Sequence, residues 1–354
     1  MKNSILSLFI AVLFLSSCKK DNGPNDGIKY IPSGMFVVNE GQFMGGNASI
    51  SYFRTNSSYT NVDLYSAINN VPLGDVAQSM SIFNGFGYIV VNNSKKVEVV
   101  NMNDFHRSGT IKGLESPRHF LGINNNTGYV SDWTANNIKI INLVTNTVTG
   151  TIPCGAGPEE MLLTNNKVFV CNVGGFGNDS TITVIDVNTN SVISTIQVGL
   201  NPNSIKQDKN GTLWVLCGGT IGADFTPGTA DDIGGTLIQI DPTTYSIIKQ
   251  LNFASDQHPL KMNTNASKDK LYYLQGNSST TGRVFRMYLS NPVLPTTALV
   301  NREFYGLGID PLKENIYGGI GNFTVNTYIL KYQSNGTFVD SLKVGVAPNG
   351  FAFN

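Results

Sequence analysis

The side chains best suited to chemistry in this chain fall in three groups. They are the three histidines His106, His119 and His258, the adjacent carboxylates Glu159 and Glu160, and the acidic insertion with Asp224, Asp231 and Asp232. A metal shared by His119 and His258 would need a third ligand at recognisable spacing, and the sequence offers none. Structural or simple polar contacts are the expectation for both; His106 falls beside a turn. Glu159 and Glu160 have the makings of an acid–base pair. Neighbours on a strand point to opposite sides, so the two need not cooperate, and ligand hydrogen bonding or a solvated rim explains them as well. The three aspartates lie among glycines in Gly218 to Gly235, the oxygen-rich setting that calcium favours. They lack the ordered ligand spacing of an EF-hand. A solvated loop or partial lid is expected there, with calcium the alternative.

Nucleophile and phosphate motifs do not occur either. There is no nucleophile elbow and no Gly-x-x-x-x-Gly-Lys loop. Gly174-Gly175-Phe176-Gly177 follows one strand and leads to another, which leaves no helix N-terminus to hold a phosphate. Lys+Arg and Asp+Glu both number 24, whereas nucleic-acid binding rests on clustered positive charge. Nucleic acid is not an expected partner. The chain reads as a binding protein and not an enzyme, with no catalytic residues, cofactor or metal.

The elements that must position these residues repeat along the chain. Gly157 to Gly199 contains four short apolar runs, Met161 to Leu163, Val168 to Cys171, Thr181 to Asp186 and Val192 to Val198. Alternating β-branched residues bounded by Asn, Gly and Asp read as strands. Each unit opens with a proline three residues before a large apolar side chain. The step is Pro158-Glu159-Glu160-Met161 here. It recurs at Pro117 to Phe120, Pro202 to Ile205, Pro259 to Met262 and Pro348 to Phe351, with degenerate copies at Ala77 to Met80 and Gly306 to Ile309. Successive anchors lie 40, 41, 44, 57, 47 and 42 residues apart. Four strands in that period make one propeller blade. The expected fold is all-β: a seven-bladed β-propeller of four-stranded antiparallel blades, and no stretch shows convincing helical periodicity.

Closure is legible at the two ends. Met35 to Asn39 resembles a second strand with no first strand before it, and after Pro348 only one strand's length remains. Phe351-Ala352-Phe353 should therefore complete the N-terminal blade and remove the open edge of the ring.

Strand direction then sorts the loops. The starts of the first strands share one face with the loops between second and third strands, and short Asp/Asn/Thr turns occupy the other. All the variable loops lie on the first face, where binding usually resides. Candidate ligand contacts on it are Glu40, Gln42, Arg118, His119, Asp132, Trp133, Glu159, Phe176, Asn203, His258, Lys261 and Tyr305. Few charges, several aromatics and many amides suit a large, partly polar small-molecule or glycan ligand. Trp133 is the preferred contact, with packing between blades as its alternative.

The N-terminus has its own pattern. Lys2 precedes an apolar run from Ile5 to Leu15, too short to span a bilayer permanently. It ends in Leu15-Ser16-Ser17-Cys18, which resembles the lipobox of bacterial lipoproteins. The resemblance implies a signal peptide over 1–17, cleavage before Cys18 and lipidation of its thiol; an ordinary signal peptide is the alternative. Residues 18–33 then form a flexible tether and 34–354 the propeller. Cys154, Cys171 and Cys217 read as small buried apolar side chains, with a Cys154–Cys171 disulfide the alternative.

With their V-x-N and V-I-D strands and P-x-x-M anchors, the repeats resemble the YVTN/YncE-type propeller repeat. Gly34 to Gly41 after a lipobox is similar to the DUF5074-type surface lipoproteins of Bacteroidota. That group includes cobalamin-capturing propellers that sit over a TonB-dependent outer-membrane transporter. The resemblance implies capture of a corrinoid-like or glycan nutrient at the cell surface, with the membrane touched only through the lipid. An interaction scaffold for another envelope protein is the alternative, followed by a metal-dependent lyase or hydrolase.

Overall fold

The computed structural model describes residues 33–54, 60–224 and 226–354. The expected signal peptide, Cys18 and all of the expected tether except Ser33 lie outside the described residues. Seven four-stranded antiparallel sheets account for the strands. The innermost strands are Ala77–Phe83, Pro117–Asn124, Pro158–Thr164, Pro202–Gln207, Leu260–Thr264, Gly306–Ile309 and Pro348–Phe353. Each packs against the next, and the last against the first, so the ring is closed.

Closure uses the expected pair. Gly34–Asn39 lies between Ser49–Arg54 and Pro348–Phe353, with Met35 opposite Phe353 and Val37 opposite Phe351. The first blade thus joins both ends of the chain, and its outermost strand is only Thr60–Asn61.

Alternation places one apolar core at each junction between blades. Second strands such as Lys167–Asn172 and Lys270–Gln275 are almost wholly buried. Their odd and even residues face different neighbours. Tyr129 packs toward the fourth blade, for example, while Val130 packs toward the second. Seven clusters result, one per junction.

The proline anchors turn out to mark β-bulges. In six blades the pairing register slips at the start of the innermost strand, immediately after Ala77, Pro117, Pro158, Pro202, Leu260 and Pro348. Proline removes one ladder donor, and the bulge re-aims the residues that follow. The seventh blade pairs without a slip.

One element was not expected, and one alternative is excluded. A helix, Leu64–Asn69, links the first and second blades; Asp63 caps it by accepting from the Ser66 amide, and Leu64 and Tyr65 are buried. At six residues it is too short to show helical periodicity, and burial of its apolar residues sustains it. The Cys154–Cys171 disulfide does not form: Cys154, Cys171 and Cys217 are all free thiols, the last two inside the core between the fourth and fifth blades.

Candidate functional site

Each bulge delivers a polar side chain to the mouth of the channel. Gln78, Arg118, Glu159, Asn203, Lys261 and Asn349 directly follow the residue at which the register slips in six blades, and all line a basin of about 1310 Å³. In the bulge-free seventh blade the corresponding Leu307 packs into the core against the sixth. Lys261 even takes a left-handed backbone conformation, φ 56°, a cost a non-glycine residue bears only where its surroundings hold it.

Of the six, all but Asn203 form a network across blades. Arg118 Nε donates to Glu159 Oε1 and Oε2 at 3.1 and 2.8 Å, and its Nη1 donates to Gln78 Oε1 at 3.0 Å. His119 Nε2 lies 3.3 Å from Glu159 Oε1. Asn349 Nδ2 donates to Glu40 Oε1 at 2.5 Å and to the Gln78 carbonyl at 3.2 Å, and Lys261 Nζ donates to Asn349 Oδ1. Tyr305 donates to Glu40 Oε2 at 2.6 Å. Asn203 Nδ2 reaches the Pro259 carbonyl at 3.0 Å.

Pairing sets the electrostatics. Burial works to raise the Glu159 carboxyl, but the Arg118 charge and the His119 hydrogen bond outweigh it and hold it at about 2. For Glu40, burial wins over Tyr305, Lys261 and Arg118, and its carboxyl lies above the usual range. Burial lowers Lys261 against the pull of Glu40 and Glu159. Two cations thus face two carboxylates, and the basin floor is internally neutralised.

Aromatic rings wall one side. The Arg118 guanidinium lies 5.7 Å from the centre of the Trp133 ring, and Trp133 meets Phe176 edge-on at 4.8 Å. Phe176 is 93% exposed, so the wall faces solvent. Trp133 therefore both lines the basin and bridges loops of the third and fourth blades. Thr220 and Ile221 of the 218–235 insertion also line it.

The remaining predicted residues divide. His258 lines the basin but is buried; Nδ1 lies 3.1 Å from the Gly218 carbonyl and Nε2 3.7 Å from Asp232 Oδ2. Histidines 119 and 258 thus have separate partners. Glu160 points away from Glu159, bonding the Ile205 amide and Lys206 between blades. Gln42 is exposed on the outer rim with Phe43 and Met44. Asp132 is a structural residue and not a contact: it is fully buried and accepts from the Glu115 and Ser116 amides at 2.8 and 2.7 Å, fixing the turn beneath Trp133. The aspartates of the insertion hold their own loop: Asp231 accepts from Ala223 N, Asp232 from Gly222 N and Gly228 N, and Asp224 from Thr226 N. Among the described residues, no three His, Cys, Asp or Glu side chains gather to hold a metal. Gln78 was not legible as a site residue, because its repeat lacks the proline; position within the repeat was the only signal for it.

A family model described as a domain of unknown function, DUF5074, matches residues 33–351. No curated protein matches significantly. Among solved structures, a quinonprotein alcohol dehydrogenase-like protein from Bacteroides thetaiotaomicron is similar at 15% identity and TM-score 0.63, covering 90% of this chain and 78% of that one. A candidate 6-phosphogluconolactonase from Bacteroides fragilis is similar at 14% and 0.63, covering 91% and 98%. A protein from Lactobacillus plantarum is similar at 12% and 0.64, covering 92% and 100%. At these identities the likeness shows the fold alone.

Proposed function

The chain belongs to the DUF5074 family, and from its channel mouth we propose a non-catalytic capture protein for a large, partly polar nutrient. The reading rests on one observation: an internally charge-paired ring of polar side chains lies under an exposed aromatic wall, in a basin of about 1310 Å³. Drug-sized ligands occupy roughly 300–1,000 Å³, so a corrinoid-like molecule or a glycan suits it better. Amides and paired charges offer hydrogen bonds without selecting a net charge, and Trp133 and Phe176 offer apolar faces. Catalysis fits the floor poorly: a general base works best near the operating pH, and Glu159 is held far below it. Lipidation at Cys18 would keep the basin at the outer membrane, cell surface side, where a TonB-dependent transporter could receive its cargo.

Calorimetric titration of the full chain with cyanocobalamin and with neutral oligosaccharides tests this. One of them should bind saturably, with an affinity little changed by salt, because the ring is already neutralised. Heat from neither would sink the reading. Phe43, Met44, Phe176, Ile233 and Phe323 stand exposed in loops of the mouth face and favour a second reading, a docking scaffold for another envelope protein. A stable partner in cross-linking without any small ligand would support that one.

A further inference from the structure

A second cavity, of about 650 Å³, opens on the shoulder between the fifth and sixth blades, apart from the channel mouth. Its floor holds Phe253 and Phe285, which flank the Tyr273 ring at 5.8 and 6.0 Å. Its wall holds Gln275 and Arg283, directly opposite each other on the second and third strands of the sixth blade. Glu303, on the fourth strand next to Arg283, also lines it. Gln275 is 7% exposed, and its Oε1 has no hydrogen-bond partner. A buried acceptor left unpaired costs about 1–3 kcal/mol, so something outside the chain is needed to satisfy it. Arg283 is exposed and, among the described residues, makes no ion pair with Glu303 or any other carboxylate.

We infer that this cavity binds a free α-amino acid. Cross-strand neighbours sit side by side, so the wall presents an acceptor and a cation next to one another. Its complement is a donor and an anion separated by one carbon, the ammonium and carboxylate of an amino acid. The ammonium hydrogen-bonds Gln275 Oε1 and faces Glu303. The carboxylate takes the Arg283 guanidinium, and an apolar side chain lies along Phe253 and Phe285.

The test titrates the full chain with L-phenylalanine, phenylalanine amide and phenyllactate, read by calorimetry. Phenylalanine should bind saturably. The amide, which lacks the carboxylate, and phenyllactate, which lacks the ammonium, should each bind about ten- to a hundredfold more weakly. Arg283→Gln should weaken the amino acid by a similar factor with an unchanged melting temperature, and Gln275→Leu should abolish binding. Lack of saturable binding by phenylalanine overturns the inference. So does equal affinity in Arg283→Gln, or a preference for phenyllactate. Bound phenylalanine should leave Trp133 emission unchanged, which separates this outcome from that at the channel mouth.

Discussion

Arg118 Nε lies 2.8 Å from Glu159 Oε2, 41 positions away in the sequence, and the pair couples the third blade to the fourth at the channel mouth. The carboxyl of Glu159 is held at about 2 against a usual 4.5. A carboxyl depressed on folding stabilises the fold above its unfolded value, and that stabilisation is lost as pH falls through the folded value. The window is therefore pH 4.5 down to about 2. Glu40, raised by burial, works the other way: its contribution is complete below its unfolded value and declines as pH rises. Glu159→Gln should cost about 2–3 kcal/mol at neutral pH and flatten the acid limb of stability. Urea midpoints measured against pH would decide; parallel profiles for the variant and wild type would refute the assignment.

Asn349 carries the closure of the ring to its centre. It is 2% exposed and joins Glu40, the Gln78 carbonyl and Lys261. Asn349→Ala removes one donor from the half-buried Glu40 carboxylate, which keeps Tyr305, and the acceptor from the half-buried Lys261 ammonium, and should cost about 2 kcal/mol. Truncation before Pro348 removes the innermost strand of the first blade and leaves a bare edge on Gly34–Asn39, which should aggregate. Denaturant unfolding of Asn349→Ala within about 0.5 kcal/mol of wild type would show that the network contributes little.

What the sequence disclosed follows from what repetition encodes. Pro117, Pro158, Pro202 and Pro348 recur because each starts a bulge, so the blade count and the site position could be read together. Arg118, Glu159 and Asn203 were placed at the channel mouth for that reason, while Lys261 lies one residue further on, after Leu260. Gln78 was not, since Ala77 hides the same bulge without proline. Asp132 misled because a carboxylate just past a strand looks the same whether it faces solvent or caps a turn, and only the Glu115 and Ser116 amides distinguish the two. The shoulder cavity was invisible, because Gln275 and Arg283 become neighbours only through strand register.

The three core-region thiols should be inert while the ring is closed. Burial, with Asp179 nearby, pushes Cys154 up to about 12; burial does the same for Cys217, against hydrogen bonds from Thr236 and Gly199. Burial raises Cys171 as well. Thiolates, not thiols, react with iodoacetamide. Peptide mass spectrometry should find all three unlabelled in the native chain and labelled in urea. Native labelling of Cys171 or Cys217 would mean that the junction between the fourth and fifth blades opens.

Trp133 can report on the basin by itself. The other tryptophan, Trp214, is 1% exposed and donates to Asp208 at 3.0 Å, remote from solvent. A ligand in the basin should shift the emission of wild type but not of Trp133→Phe. Gly157 supports the ring from behind: its φ is +60°, and a Cβ there would lie 2.3 Å from Gly175 N and 2.8 Å from Trp133 Nε1. Gly157→Ala combines the left-handed penalty with that collision, so it should cost about 2 kcal/mol and weaken binding about tenfold by displacing the wall. If Gly157→Ala binds as wild type does while its Trp133 emission has moved, the aromatic wall is no part of the site and recognition rests on the charged floor alone.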